Sequence, residues 1–264
     1  MIQKAKHYFR ATAAAFELAL RSNLTDSFVL FAIVVQPLII AILGFWMLRD
    51  TGGDYVIFVV VGSGMTGLWS SLLFISGNSI TRERWTGTLE ILVGQPTPIP
   101  VIIFGKNLAH VSQSLLSMIG SYFLAALIFG FALHVTQPFL FGISLVLTVI
   151  SFVCFGLIIA PVFVMNPSVQ QWQNAIEFPI YILAGFLFPI ALLPEWSTPL
   201  SYILAPYWAA RALHGTSSGN APFSEIALSW GMMLLFSILY ILLSRILFRV
   251  MLRKARVDAT LGSQ

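Results

Sequence analysis

Apolar residues run through this chain in six long blocks, at roughly 28–48, 55–77, 101–133, 138–165, 171–193 and 224–248. A helix crossing a bilayer needs about 20 mostly apolar residues, so each block is long enough to span. The third and fourth exceed that length, which predicts tilt or extension past the hydrocarbon. None shows the period-two alternation of a barrel strand. In lipid only helices and closed barrels satisfy their own backbone polar groups. The pattern predicts an all-α integral membrane protein with six transmembrane helices, forming one domain over residues 1–264.

The segments between blocks carry their own patterns. Residues 1–27 interleave Lys4, Lys6, Arg10, Glu17 and Arg21 with apolar side chains, and Phe9, Ala13, Phe16 and Leu20 fall at helical spacing. That spacing predicts an amphipathic helix lying in the membrane interface. Because this stretch mixes charge with apolar residues, it does not read as a cleavable leader. Residues 194–222 are too broken for a span and too apolar for a free loop. Short re-entrant helices anchored by Trp196, Tyr207 and Trp208 at the outer interface fit them.

Composition agrees with the pattern. Hydrophobic residues make up 58% of the chain and charged residues 9%, against about 25% charged in a soluble domain. The single cysteine, Cys154, sits inside an apolar run and reads as a packing residue, with no partner for a disulfide. The net charge of +4 comes from basic residues that are unevenly placed. With the N-terminus inside, twelve of the fourteen Lys and Arg fall on the cytoplasmic side, and only Arg49 and Arg211 fall outside. This bias predicts cytoplasmic termini in a multi-pass cell-membrane protein, and makes the basic surplus a topology signal with no nucleic-acid role.

The sharpest departure from the apolar pattern is Arg82-Glu83-Arg84-Trp85-Thr86-Gly87-Thr88-Leu89-Glu90-Ile91-Leu92, within the connection 78–100. Gly87 predicts a bend and an N-cap. A short helix is expected from Thr88 to Val93, with Glu90 near its positive end, stopped by Gly94 and Pro96. An ordinary capped loop is the plainer reading of the same residues.

Two spans carry polar groups of interest. In the second, Ser63, Gly67 and Ser71 recur every four residues, as do Gly62, Thr66 and Ser70, and small residues at this spacing let helices approach closely in lipid. Phe74 lies one turn beyond Ser70. Gly62 to Gly67 mimics the start of a phosphate loop, but Leu68 and Trp69 stand where Lys and Ser/Thr are required. In the fifth, Asn174, Glu177, Phe178, Tyr181, Gly185 and Phe188 are expected to share a face. An ionisable residue at the depth of Glu177 is either a functional site or the partner of Lys106 or His110. Gly215-Thr216-Ser217-Ser218-Gly219 resembles a nucleophile elbow beside His214, but a Ser/Gly-rich loop explains it better. His110, His134 and His214 are scattered, and no catalytic or metal-binding set is expected.

Three stretches together resemble the ABC type-two transporter permeases. They are Glu83-Arg84-x-x-Gly87-Thr88-Leu89-Glu90-x-Leu92, then Phe178-Pro179…Gly185-x-Leu187-Phe188-Pro189…Leu193-Pro194-x-Trp196, and then Pro206-Tyr207…Ala210-Arg211-Ala212-Leu213. In the third, Ala205 replaces the usual Asn. The resemblance implies an exporter's membrane subunit that pairs with a second permease copy, as homodimer or heterodimer, in contact with membrane lipids. It also implies separate nucleotide-binding ATPase subunits. The segment Arg82, Glu83, Arg84, Gly87, Thr88, Leu89, Glu90 and Leu92 would be the coupling element, and residues 1–27 the connecting helix. Ser63, Gly67, Ser70, Phe74, Asn174, Glu177, Phe178, Tyr181 and Phe188 would line a substrate path or dimer interface for an amphipathic drug, lipid or glycan-type molecule. This chain has neither a phosphate loop nor a Leu-Ser-Gly-Gly-Gln signature, so ATP and Mg would sit on the partner and no cofactor on this chain. An ATP-independent channel or secondary carrier is the alternative, but its marks, several intramembrane charges or repeated broken helices, are not evident.

Overall fold

A computed structural model describes residues 2–27, 31, 35–48, 54–129, 135–166 and 173–257. Among them there are helices and no strands. The helices are α1 (Ile2–Thr25), α2 (Gln36–Leu48), α3 (Asp54–Ser70), α4 (Ser79–Trp85), α5 (Leu89–Gly94), α6 (Ile99–Phe129), α7 (Pro138–Met165), α8 (Gln173–Leu183), α9 (Thr198–Tyr202), α10 (Ala205–Ser218) and α11 (Phe223–Val257). A π-helical segment, Ser71–Ser76, continues α3 toward α4, and 3₁₀ turns at Ile190–Leu192 and Glu195–Ser197 precede α9.

Among the described residues, three helical stretches are long and apolar enough to cross a membrane: Val56–Trp85, Pro138–Met165 and Phe223–Lys254. This is fewer than the six predicted blocks. From the first block, a shorter apolar helix, Gln36–Trp46, is described. The fifth block is an eleven-residue helix, too short to cross a bilayer alone. Gly185, at φ +69°, turns the chain immediately after it. The third block forms a 31-residue helix whose first half carries Lys106, Asn107, His110, Gln113 and Ser114.

The spans pack through small residues. In α3, a Cβ on Gly62 would lie 1.9 Å from the Phe186 carbonyl oxygen, and one on Gly67 2.7 Å from Pro37 Cγ of α2. Gly64 faces Met118 of α6 in the same way. One helix thus seats three neighbours by omitting side chains. The main core lies around α3 and includes Met65, Leu68, Trp69, Leu72, Phe152, Phe186 and Met233.

α1 packs along α6. Its packed face is Ala15, Ala19 and Asn23, all buried, with Gly105 of α6 close to the Thr12 carbonyl. Phe9, expected on the apolar face, is 75% exposed. The helix therefore has two faces: a small one for α6 and an aromatic one left outside.

The Gly215–Gly219 stretch, read as a flexible loop, is helical through Ser218. Gly219, at φ +74°, closes the helix as its left-handed cap, where glycine has no steric penalty. Tyr207 and Trp208 are buried, in contrast to the surface anchors expected of them, while Trp196 is exposed. The Trp208 ring stacks on Tyr202, and its indole nitrogen donates to the Tyr202 carbonyl. α10 is covered because it packs against α3, α7 and α11.

Candidate functional site

The end of the bundle that holds Arg82, Arg84, Lys106, Arg245, Arg249 and Arg253 also gathers the predicted coupling residues. α4 and α5 are separated by Thr86-Gly87-Thr88, with Gly87 at φ +71°. A left-handed residue costs about 1–2 kcal/mol for anything with a Cβ, so the bend predicted at Gly87 has a backbone cause. The predicted boundaries shift slightly. The helix spans Leu89–Gly94 and Thr88 is its N-cap, in place of Gly87.

Thr88 reaches back across the bend. Its hydroxyl lies within hydrogen-bond distance of the Glu83 carbonyl oxygen, 3.2 Å, and of the Glu83 carboxylate. The Thr88 amide also donates to the Glu83 carbonyl at 2.9 Å. Lys106 of α6 donates to the other carboxylate oxygen of Glu83, and both side chains are mostly covered, at 13% and 21% exposure. Burial alone would raise the Glu83 pKa, but the bonds from Lys106 and Thr88 and the charges of Lys106 and Arg82 hold it below the ordinary carboxylate value. One carboxylate thus ties α4, α5 and α6 together.

A second tie is apolar. Leu89 is 3% exposed and enters a small core with Ile80, Ile99, Ile103, Leu157, Ala160, Phe248 and Met251. This core joins the short α5 to the ends of α6, α7 and α11. On the outer side, Trp85 and Ile91 are 74% and 64% exposed. Arg82 pairs with Asp26 at 3.1 Å, which links the tip to the residues just after α1. Arg84 and Leu92 are half-buried, and the side chain of Glu90 lies outside the described set. Trp85 and Ile91 were not singled out by sequence reasoning. Their signal was present as large apolar residues inside a charged segment.

The fifth-block residues separate into two groups. Glu177 and Tyr181 are buried at 3% each, whereas Phe178 is 59% exposed. The Glu177 carboxylate accepts hydrogen bonds from Ser70 and Tyr181, and from Gln36 at 3.3 Å. Neither Lys106 nor His110 is its partner. Lys106 is paired with Glu83, and His110 Nδ1 sits 2.7 Å from Asn23 of α1. The polar cluster therefore joins α2, α3 and α8. Ser63, Thr66 and Ser71 bond to carbonyls of their own helix, and Ser70 is directed outward to α8.

Gln173, which sequence reasoning passed over, donates to the Leu73 carbonyl inside the π-helical segment at 3.1 Å. A π turn displaces carbonyls from the regular ladder, and here an amide from α8 supplies a donor to one of them. Ser63, Gly67 and Ser70 are buried within the chain; Phe74 and Phe188 are half-buried, with Phe188 beyond the end of α8. The Asn174 side chain and His134 lie outside the described set. No group of three or more His, Cys, Asp or Glu able to hold a metal is present among the described residues.

A helical bundle with three apolar membrane-length helices among the described residues and a tied polar tip at its basic end is the architecture of a membrane protein. The family model described as "ABC-2 type transporter" matches residues 10–217, and the chain belongs to that family. As such it is the membrane component of an ABC transporter. It is 27% identical over 151 residues to ABC transporter G family member 20 of Dictyostelium discoideum, an alignment that covers 56% of this chain and 19% of that protein. The chain thus matches about a fifth of that relative's length.

Proposed function

We propose that the chain is the permease subunit of an ATP-driven exporter, with six spans and both ends in the cytoplasm. A second permease copy would complete the path for an amphipathic substrate, and separate ATPase subunits would supply the energy. The arrangement at Leu89 carries this reading. α5 presents Ile91 and nearby Trp85 outward, while Leu89 inserts into the core that joins α6, α7 and α11. A push on the exposed face is then transmitted to three long helices, because a close-packed core moves with its neighbours. Glu83 stiffens the same connection through Thr88 and Lys106.

The orientation is supported by the gathering of basic residues at the α4–α5 end. The eleven-residue α8 and the turn at Gly185 would complete their crossing through the short helices that follow. The test is the purified complex of permease and ATPase subunits. Glu83→Ala is expected to lower transporter-stimulated ATP hydrolysis by about tenfold, a loss of about 1.4 kcal/mol of coupling, with the permease still inserted. Unchanged stimulation would reject the reading.

A further inference from the structure

At the end of the bundle opposite Glu83, a cavity of about 540 Å³ opens between the start of α3, the turn after α8, α10 and the start of α11. Its apolar wall includes Ile57, Phe58 and Ile190, and its polar wall includes Arg211, Glu225 and Asn220. Arg211 Nη2 and Glu225 Oε2 lie 2.7 Å apart, and their side chains remain 29% and 46% exposed. A guanidinium has five donors and a carboxylate about four lone-pair sites, so their mutual contact, with the Tyr207 hydroxyl also bonded to Arg211, still leaves both able to bind further groups. Trp208 lies under the guanidinium, 5.8 Å from ring centroid to Cζ, and holds it in place.

The floor of the cavity adds no net charge. His214 stacks on Phe58 with ring centroids 3.8 Å apart, and its ring nitrogens are shielded from solvent without an aligned hydrogen bond among the described residues. Burial pushes its pKa down to about 4, partly opposed by the nearby Phe186 and Gly185 carbonyls, so it is neutral at physiological pH. The Ser217 and Ser218 hydroxyls both donate to the His214 carbonyl. What faces the opening is one positive and one negative group side by side above an apolar wall. A singly charged ligand would satisfy one of them and repel the other, whereas a zwitterion complements both.

We propose that this cavity binds the zwitterionic head of an amphiphile, its anionic group on Arg211 and its cationic group on Glu225, with the apolar part along Ile57, Phe58 and Ile190. This site is separate from the coupling element, and its occupancy does not depend on the export reading. A membrane phospholipid and a soluble zwitterion share the recognised chemistry.

The test uses the purified full chain in a neutral maltoside detergent, with calorimetric titration of short-chain phosphatidylcholine and of phosphatidylglycerol bearing the same chains. Phosphatidylcholine is expected to bind about tenfold more tightly. Glu225→Gln removes the negative partner and is expected to reverse that preference. Ala191→Trp, which fills the cavity from an exposed rim position, is expected to abolish binding of both. Competition by glycerophosphocholine at similar concentration would identify the head alone as ligand, and competition only by the acylated form would identify a lipid. Equal binding of the two lipids, or binding by Ala191→Trp equal to that of the unaltered chain, would overturn the proposal. An unchanged preference in folded Glu225→Gln would also overturn it.

Discussion

Glu83 and Thr88 face each other across a left-handed glycine, with the Thr88 amide donating to the Glu83 carbonyl at 2.9 Å and its hydroxyl bonded to the Glu83 carboxylate. The contact spans five residues and two helices, and Lys106 locks it to a third. The tip of the molecule is therefore a braced corner.

Gly87 has open space around it, with nothing within 4 Å of an added Cβ. Any substitution there acts through the backbone alone. Gly87→Val is expected to cost about 1–2 kcal/mol or more at the bend, and Gly87→Asn much less, since Asn tolerates the left-handed region. ATPase stimulation by the assembled complex should fall in the same order, with Val well below Asn.

Glu83 also sets a pH dependence. Its folded pKa lies below the ordinary carboxylate value, so its contribution is present above the unfolded pKa. It is lost as pH falls through the folded value. The hydrogen-exchange protection of the Thr86–Thr88 amides, taken relative to the intrinsic exchange rate at each pH, is expected to fall as the pH drops through the lowered Glu83 value. Glu83→Gln should remove that acid step and expose these amides at neutral pH.

Trp85 and Ile91 are exposed and contribute little to the fold of the chain. Ile91→Asp is expected to leave the thermal midpoint of the isolated permease within a degree or two. Its affinity for the ATPase subunit should fall about tenfold or more, as for a lost apolar anchor. Pull-down with titrated ATPase subunit measures this directly.

The Glu177 cluster makes a separable prediction. Tyr181→Phe removes one donor to a buried carboxylate and is expected to destabilise by about 1.5–3 kcal/mol. Glu177→Gln retains an acceptor for Ser70, so folded protein is expected at near-normal yield with altered export of some substrates. Collapse of the yield would assign Glu177 a structural role.

Two glycines give a packing contrast. Gly62→Ala would place a Cβ 1.9 Å from a backbone oxygen, and backbone cannot move aside as a side-chain end can. A severe loss of folded protein is expected. Gly94→Ala meets nothing within 4 Å and should be neutral, or stabilising by up to about 1 kcal/mol.

Much of this was legible along the chain because lipid imposes simple rules. Unbroken apolar blocks had to be helices, the clustered Arg and Lys marked one end, and Gly87 marked the bend. What the pattern concealed was which helix face meets which neighbour. The apolar periodicity of α1 drew attention to Phe9, yet Ala15, Ala19 and Asn23 make the contact, because close approach to Gly105 selects small side chains. Gly215–Gly219 read as a loop by composition and became helical once α10 was buried against three other helices.

The segment from Arg82 to Leu92 shows where the division lies. Its charge, its glycine and its place between two apolar blocks are local properties, and they suffice to specify a polar bend at the basic end. The partners were decided by tertiary structure. Glu83 meets Lys106 from 23 positions away, and Leu89 meets Phe248 and Met251 from the last helix. Which of many charges and apolar groups pair depends on helix packing in three dimensions, which no spacing along the chain encodes. Glu177 makes the same point. Its buried position invited a cationic partner, but the packing of α2, α3 and α8 placed Ser70, Tyr181 and Gln36 around it and left Lys106 to Glu83.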